Sequence, residues 1–237
     1  MTAKSSQMLK IVGSRTGDVC SWNRASTAQP GVRAGRRKST APLNFTLTLD
    51  LASMRSRTKK FIQHLSHDIE DEDRAEEYLD ESLPLIGLIV MYFNSLEKSL
   101  DSLICEVISD RTDAPGLIVI QKLMYVAKVD LFKRFSDDFH GSFYFTPVEF
   151  NELIGELIEV GKLRNLVVHA DWSSTDEDGY TFVRLKTSSN GMLQEYVQFS
   201  VESLEKLIER LIKANHRLSD YWKWKSERLQ YHLQGAS

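Results

Sequence analysis

Between residues 157 and 172 the chain reads LIEVGKLRNLVVHADW, and Arg164, Asn165 and His169 within it have the types and spacing for proton and anion chemistry. Histidine is the side chain that changes charge near neutral pH, so His169 suits a proton donor or acceptor. A guanidinium stays charged and grips anionic oxygens in a fork, so Arg164 suits a group that steadies developing negative charge. On a helix Asn165 and His169 stand four residues apart on one face, and Arg164 sits one position round with a side chain long enough to reach the same spot. Asn165 would then orient either partner.

The element that must position them is an amphipathic helix. Leu153, Ile154, Leu157 and Ile158 recur at helical period and lead through the small Gly161 onto Asn165, Val168, His169 and Trp172. Hydrogen-bonding groups thus arrive where a plain bundle would place leucines. Buried polar groups cost free energy unless partnered, so the cluster faces a cleft, faces a second subunit, or forms a satisfied core network. A purely structural use is open too: an Arg and a His near a helix end can cap carbonyls and offset the dipole, and Asp171 is placed to pair with Arg164.

The surrounding elements read as follows. Arg57 to Leu83 is a polar, helical lead-in whose acidic run Glu70 to Glu77 is a solvated face. Pro84 suits a first helical turn, and Leu85, Leu88, Ile89, Tyr92, Leu96, Leu100, Leu103 and Ile104 carry a helical stripe ending near Asp110. Glu97, beside that stripe, has the chemistry to orient a catalytic base. A second helix spans Pro115 to Phe139 and closes at Gly141. Thr146, Pro147 and Glu149 give an N-cap, a first-turn proline and a capping-box glutamate for the third helix, which ends near Trp172. The period then drops to two through Tyr180, Phe182 and Leu185 and again through Leu193, Tyr196, Val197 and Phe199, around the turn Ser188-Ser189-Asn190-Gly191: a β-hairpin. Ser200 caps a last helix running toward Tyr221 and Trp222. The expected fold is mainly α, an antiparallel four-helix bundle with a β-hairpin between the third and last core helices.

Composition sets the frame. The chain of 237 residues is 42% apolar and 27% charged, in keeping with one globular domain plus extensions. Its longest apolar run is far shorter than the ~20 residues a spanning helix needs, and nothing near Met1 reads as a secretory signal. Two cysteines, Cys20 and Cys105, make no disulfide framework, so the expected setting is cytoplasmic. The net charge of −3 hides an asymmetry: residues 1–60 carry twelve Lys/Arg and two Asp/Glu (+10), and the remainder 18 and 31 (−13). Residues 1–56 read as a basic extension, disordered or non-native, and 57–237 as the helical domain with its core over 84–231.

Arg164-Asn165-Leu166-Val167-Val168-His169 resembles the Arg-x(4–6)-His signature of the HEPN superfamily, whose frequent form places a polar residue, often Asn, directly after the Arg. The phrase LRNLVVHADW is similar to members from prokaryotic toxin and phage-defence systems, and the resemblance extends from about Pro84 to the C-terminus. It implies a metal-independent endoribonuclease in which His169 moves the 2′-hydroxyl proton, Arg164 holds the phosphorane charge and Asn165 orients them. It also implies a homodimer with the cleft between protomers, an RNA substrate, and an antitoxin or defence partner. Trp172 and Asp171 stand as supporting residues. The alternative is a non-catalytic HEPN-like interaction or scaffold module in a defence or signalling complex.

Other chemistry finds little support. His64 and His67 make a close pair but lack the further ligands structural zinc uses, so no metal or other cofactor is expected. No Gly-rich phosphate loop or nucleophile elbow occurs. Tyr221, Trp222 and Trp224, interleaved with Lys223 and Lys225, can stack on single-stranded RNA, but their bulk favours packing on the core.

Overall fold

The computed structural model describes residues 54–65, 67–189 and 191–235. Residues 1–53 of the basic extension, Cys20 among them, lie outside the described residues. In chain order the elements are β1 (Ser56–Lys60), α1 (Glu72–Ile108), α2 (Ala114–Ile120), α3 (Tyr125–Phe143), α4 (Phe150–Val168), β2 (Asp171–Thr175), β3 (Tyr180–Ser188), β4 (Gly191–Gln198) and α5 (Val201–Gly235). The protein is mainly helical with a small antiparallel sheet.

Several boundaries differ from the expectation, each for a local reason. The lead-in is not helical from Arg57: residues 56–60 form an edge strand, and α1 begins at Glu72. Its start is set by Asp71, whose side chain accepts from the Arg74 amide, with Glu72 and Asp73 offsetting the dipole. Pro84 therefore lies inside α1 instead of opening it. The helix expected over Pro115 to Phe139 is divided. α2 docks Gly116 on Cys105, where an added Cβ would meet the Cys105 backbone and sulfur at 2.6 Å, while α3 must present Tyr125 to α4. The two demands are met by a turn with Met124 extended. α3 runs past Gly141 to a left-handed cap at Tyr144. α4 stops at Val168, and Trp172 belongs to the strand β2.

The β3–β4 hairpin stands where expected, with Ser188 opposite Gly191. It is the centre of a larger sheet, ordered β1-β4-β3-β2 with every pairing antiparallel. A bulge at Val183 shifts the register so that Arg184 faces Glu195. One face of the sheet is closed by the segment before α1: His67 stacks on Tyr196 at 4.8 Å and donates from Nε2 to the Tyr180 carbonyl at 2.9 Å, and Arg57 pairs with buried Asp176. His67 is thus a packing residue, and His64 is exposed.

The core joins Ile89, Phe93, Leu96, Leu100 and Ile104 of α1 to Leu157, Val160 and Val167 of α4 and to Leu204, Leu207, Leu211 and Leu218 of α5, with Val197 and Phe199 arriving from the sheet side. Ser200 caps α5 as expected, accepting from the Ser203 amide at 3.2 Å. No helix among the described residues is long and apolar enough to cross a membrane.

Candidate active site

The last turns of α4 are fixed on their inner side by Leu163 and Val167 and by a close approach at Gly161. The Tyr125 ring lies where a Cβ on residue 161 would come within 2.7 Å of it, and the Tyr125 hydroxyl donates to the Leu157 carbonyl. Burial, followed by the nearby Glu97 and Glu156 carboxylates, pushes the Tyr125 phenol well above its ordinary range, which keeps it a donor. Tyr125 in turn leans on Phe93 of α1 at 4.7 Å. Arg164, Asn165 and His169 stand on the outer side of this packed stack.

His169 ends α4 as its C-cap, its amide bonded to the Asn165 carbonyl at 3.1 Å and its ring exposed. Asn165 is also exposed, so neither polar group continues an apolar stripe into the core. Both instead line a cleft of about 500 Å³ between α4 and the sheet. Leu163, Leu166, Val183 and Val197 form its apolar floor. Its polar rim adds Lys162, Arg184, Lys186 and Glu195.

The rim is cationic on balance, three cations against one carboxylate. Glu195 accepts from Arg184 Nε at 2.6 Å and Lys186 Nζ at 2.5 Å. Burial alone would raise its carboxyl, but these two bonds hold it below the usual carboxylate range, so it stays charged and pins both cations at the cleft mouth. Lys162 is more loosely tied, 3.6 Å from Glu159.

Arg164 occupies a different position. Its guanidinium donates to Asn165 Oδ1 at 3.0 Å and lies 4.9 Å over the Phe93 ring, while its Nε is buried without a hydrogen-bond partner. No carboxylate pairs with it among the described residues. The cation is held by a neutral amide and an aromatic face, which position the charge without cancelling it. Arg164 does not line the cleft directly; Asn165 links it to the wall that His169 shares.

The supporting residues named from sequence do other work. Glu97 accepts from Lys128 Nζ at 2.8 Å and is not bonded to His169. Asp171 accepts from the hydroxyls of Ser173 at 2.6 Å and Ser174 at 2.8 Å, so it is not the partner of Arg164. These bonds hold its carboxyl below the usual range. Trp172 donates to the Val167 carbonyl at 2.8 Å and stacks on Phe199 at 5.1 Å, fastening β2 to α4 from within the same chain. At the far end of the molecule Tyr221 is buried against Phe150, Trp224 and His140. Its neighbour Lys225 is buried as well; Tyr221 and Trp224 pack with the core, while Trp222 is half-buried and Lys223 exposed.

No family model, curated protein or solved structure matches the chain. The site must be read from its own geometry. Sequence reasoning missed Phe93, Lys162, Arg184, Lys186 and Glu195. Phe93 carries no polar signal at all. Arg184 and Lys186 alternate on one strand opposite Glu195 across the hairpin, a pattern visible once the turn is placed, although the bulge that aligns Arg184 with Glu195 is not.

Proposed function

We propose that the protein is an endoribonuclease of toxin or phage-defence type, built on a HEPN-like bundle formed by α1, α3, α4 and α5. The observation that carries the reading is the placement at the end of α4 of an exposed imidazole near an arginine that no carboxylate among the described residues neutralises, beside a cationic cleft. An RNA backbone entering the cleft would meet Lys162, Arg184 and Lys186 along its rim. His169 would take the proton from the 2′-hydroxyl, the oxygen would attack the adjacent phosphorus, and the 5′-oxygen would leave with a proton returned to it. Arg164, steered by Asn165, would hold the charge on the non-bridging oxygens. Among the described residues no three His, Cys, Asp or Glu side chains converge as a metal site, so this reading takes the RNA's own hydroxyl as nucleophile.

The products would carry a 2′,3′-cyclic phosphate and a 5′-hydroxyl. Incubation with RNA in excess EDTA, with product ends identified by mass spectrometry, tests this. A substrate with one 2′-deoxy nucleotide at the scissile position must resist cleavage; its cleavage would overturn the assignment. The placement of Arg164 over Phe93, outside the cleft lining, favours a second reading, a non-cleaving HEPN-like interaction module, which would bind a partner chain and leave every RNA intact.

A further inference from the structure

From Leu83 to Phe93 the chain runs through eleven residues without a charged side chain and with the Tyr92 hydroxyl as their one polar side-chain group, and all of them lie in α1. A helix that is apolar all round is ordinarily buried all round. Here only one side is: Ile89 and Phe93 are in the core, whereas Met91 is 68% exposed, Leu83 51%, and Leu88 and Tyr92 39% each.

The exposed side has a shape and a charge pattern that match themselves. Residues 80, 84, 87, 91, 94 and 98 are spaced alternately four and three apart, so they form one stripe along α1, and every one of them is exposed. Within it Gly87 is a notch, with nothing within 4 Å of where a Cβ would stand, and Met91 is a protruding flexible knob one turn away. Asp80 marks one end and Lys98 the other, and neither has an ion-pair partner among the described residues. Two such helices packed antiparallel about a two-fold axis midway between 87 and 91 would set residue 87 against 91, 84 against 94 and 80 against 98. Each notch would receive a knob, and each Asp80 would face a Lys98. Seven residues beyond Lys98 the same stripe reaches Cys105, and there α2 already covers it through Gly116.

We infer that the outer face of α1 is the interface of a two-fold homodimer, with Met91 of one copy seated at Gly87 of the other and Asp80–Lys98 pairs at both ends. A membrane surface fits less well, because Glu76, Glu77, Asp80 and Glu81 stand exposed beside the apolar patch and would be repelled by anionic headgroups. This inference does not depend on the catalytic reading.

The test uses the full chain on a Cys20→Ser background, so that Cys105, which is buried, is the only native thiol left. Sedimentation velocity at tens of micromolar should give a dimer, and Met91→Lys should give a monomer with an unchanged circular dichroism spectrum. Asp80→Lys and Lys98→Asp should each weaken self-association roughly tenfold or more, since like charges then face each other twice. The double swap in one chain should restore it. Under mild oxidation, Gly87→Cys mixed with Met91→Cys should form a disulfide-linked dimer more readily than either variant alone. A monomeric wild type, a dimer indifferent to Met91→Lys, or a double swap no tighter than the single ones would each overturn the inference.

Discussion

Two cations rest against α1 one helical turn apart, and the fold treats them oppositely. Lys128, buried on α3, is bonded at 2.8 Å to both Glu97 and Asp101. Burial alone would lower its ammonium, but the two carboxylates outweigh that and hold it above its ordinary value. Arg164 lies over Phe93, one turn before Glu97, with an amide oxygen and a ring as its companions. One charge is neutralised as part of the scaffold. The other is positioned and left with its charge to offer. A cation that merely ties helices together needs a counter-ion, so the lack of one at Arg164 among the described residues argues for a ligand that supplies the negative charge.

The sharpest way to break this comparison is to remove each charge. Lys128→Met should cost about 2–3 kcal/mol in denaturant unfolding, because it leaves two partly buried carboxylates side by side without their cation. Arg164→Met should cost about 1 kcal/mol or less, the worth of a cation–π contact and one exposed hydrogen bond. Equal losses would mean that Arg164 is as structural as Lys128.

The histidines extend the contrast. His140 is buried, its Nε2 within 3.0 Å of the Tyr221 hydroxyl, and burial pushes it below its usual 6.5. A neutral form favoured by the fold means that the unfolded chain takes up the proton first. The stability this group confers is therefore complete above about pH 6.5 and declines as pH falls below that value. Melting temperature should drop through this window in the wild type and in His169→Ala. It should drop less in His140→Gln, which keeps a hydrogen-bonding partner for Tyr221 without titrating. A flat profile in the wild type would remove the distinction between the two rings.

The smallest effect is expected at the aromatic platform. Phe93→Leu keeps an apolar side chain in the core but loses the ring face under Arg164, and should slow cleavage roughly two- to fivefold, the kinetic equivalent of about 0.5–1 kcal/mol. In Arg164→Lys, which cannot make the same flat stack, the further loss from Phe93→Leu should be smaller.

How much of this was legible follows from where the physics resides. The first half of the α4 stripe, Leu153, Ile154 and Leu157, together with the hairpin and the Ser200 cap, are local patterns that stand in the structure, whereas the continuation of the stripe onto Asn165 and His169 does not. β1 was missed because SRTKK has no apolar alternation; all five of its residues are exposed, and its strand form comes from pairing with β4. The start of α1 was placed at Pro84 because proline favours a first turn, while the stronger local signal, Asp71 followed by two acidic residues, lay inside what read as a solvated acidic run. At the site, the residue types of Arg164, Asn165 and His169 could be read directly. Their surroundings could not, since Phe93, Arg184 and Glu195 reach the end of α4 only through tertiary packing and one bulge.

The central claim is that the end of α4 cleaves RNA using Arg164 and His169. Its most direct test measures cleavage of a mixed-sequence RNA in EDTA together with the melting temperature, for the wild type, Arg164→Ala and His169→Ala. The account predicts that each substitution lowers cleavage by about 10²-fold or more while stability changes by no more than about 1 kcal/mol. Retained cleavage in His169→Ala, or loss of activity only in step with loss of the fold, would contradict it.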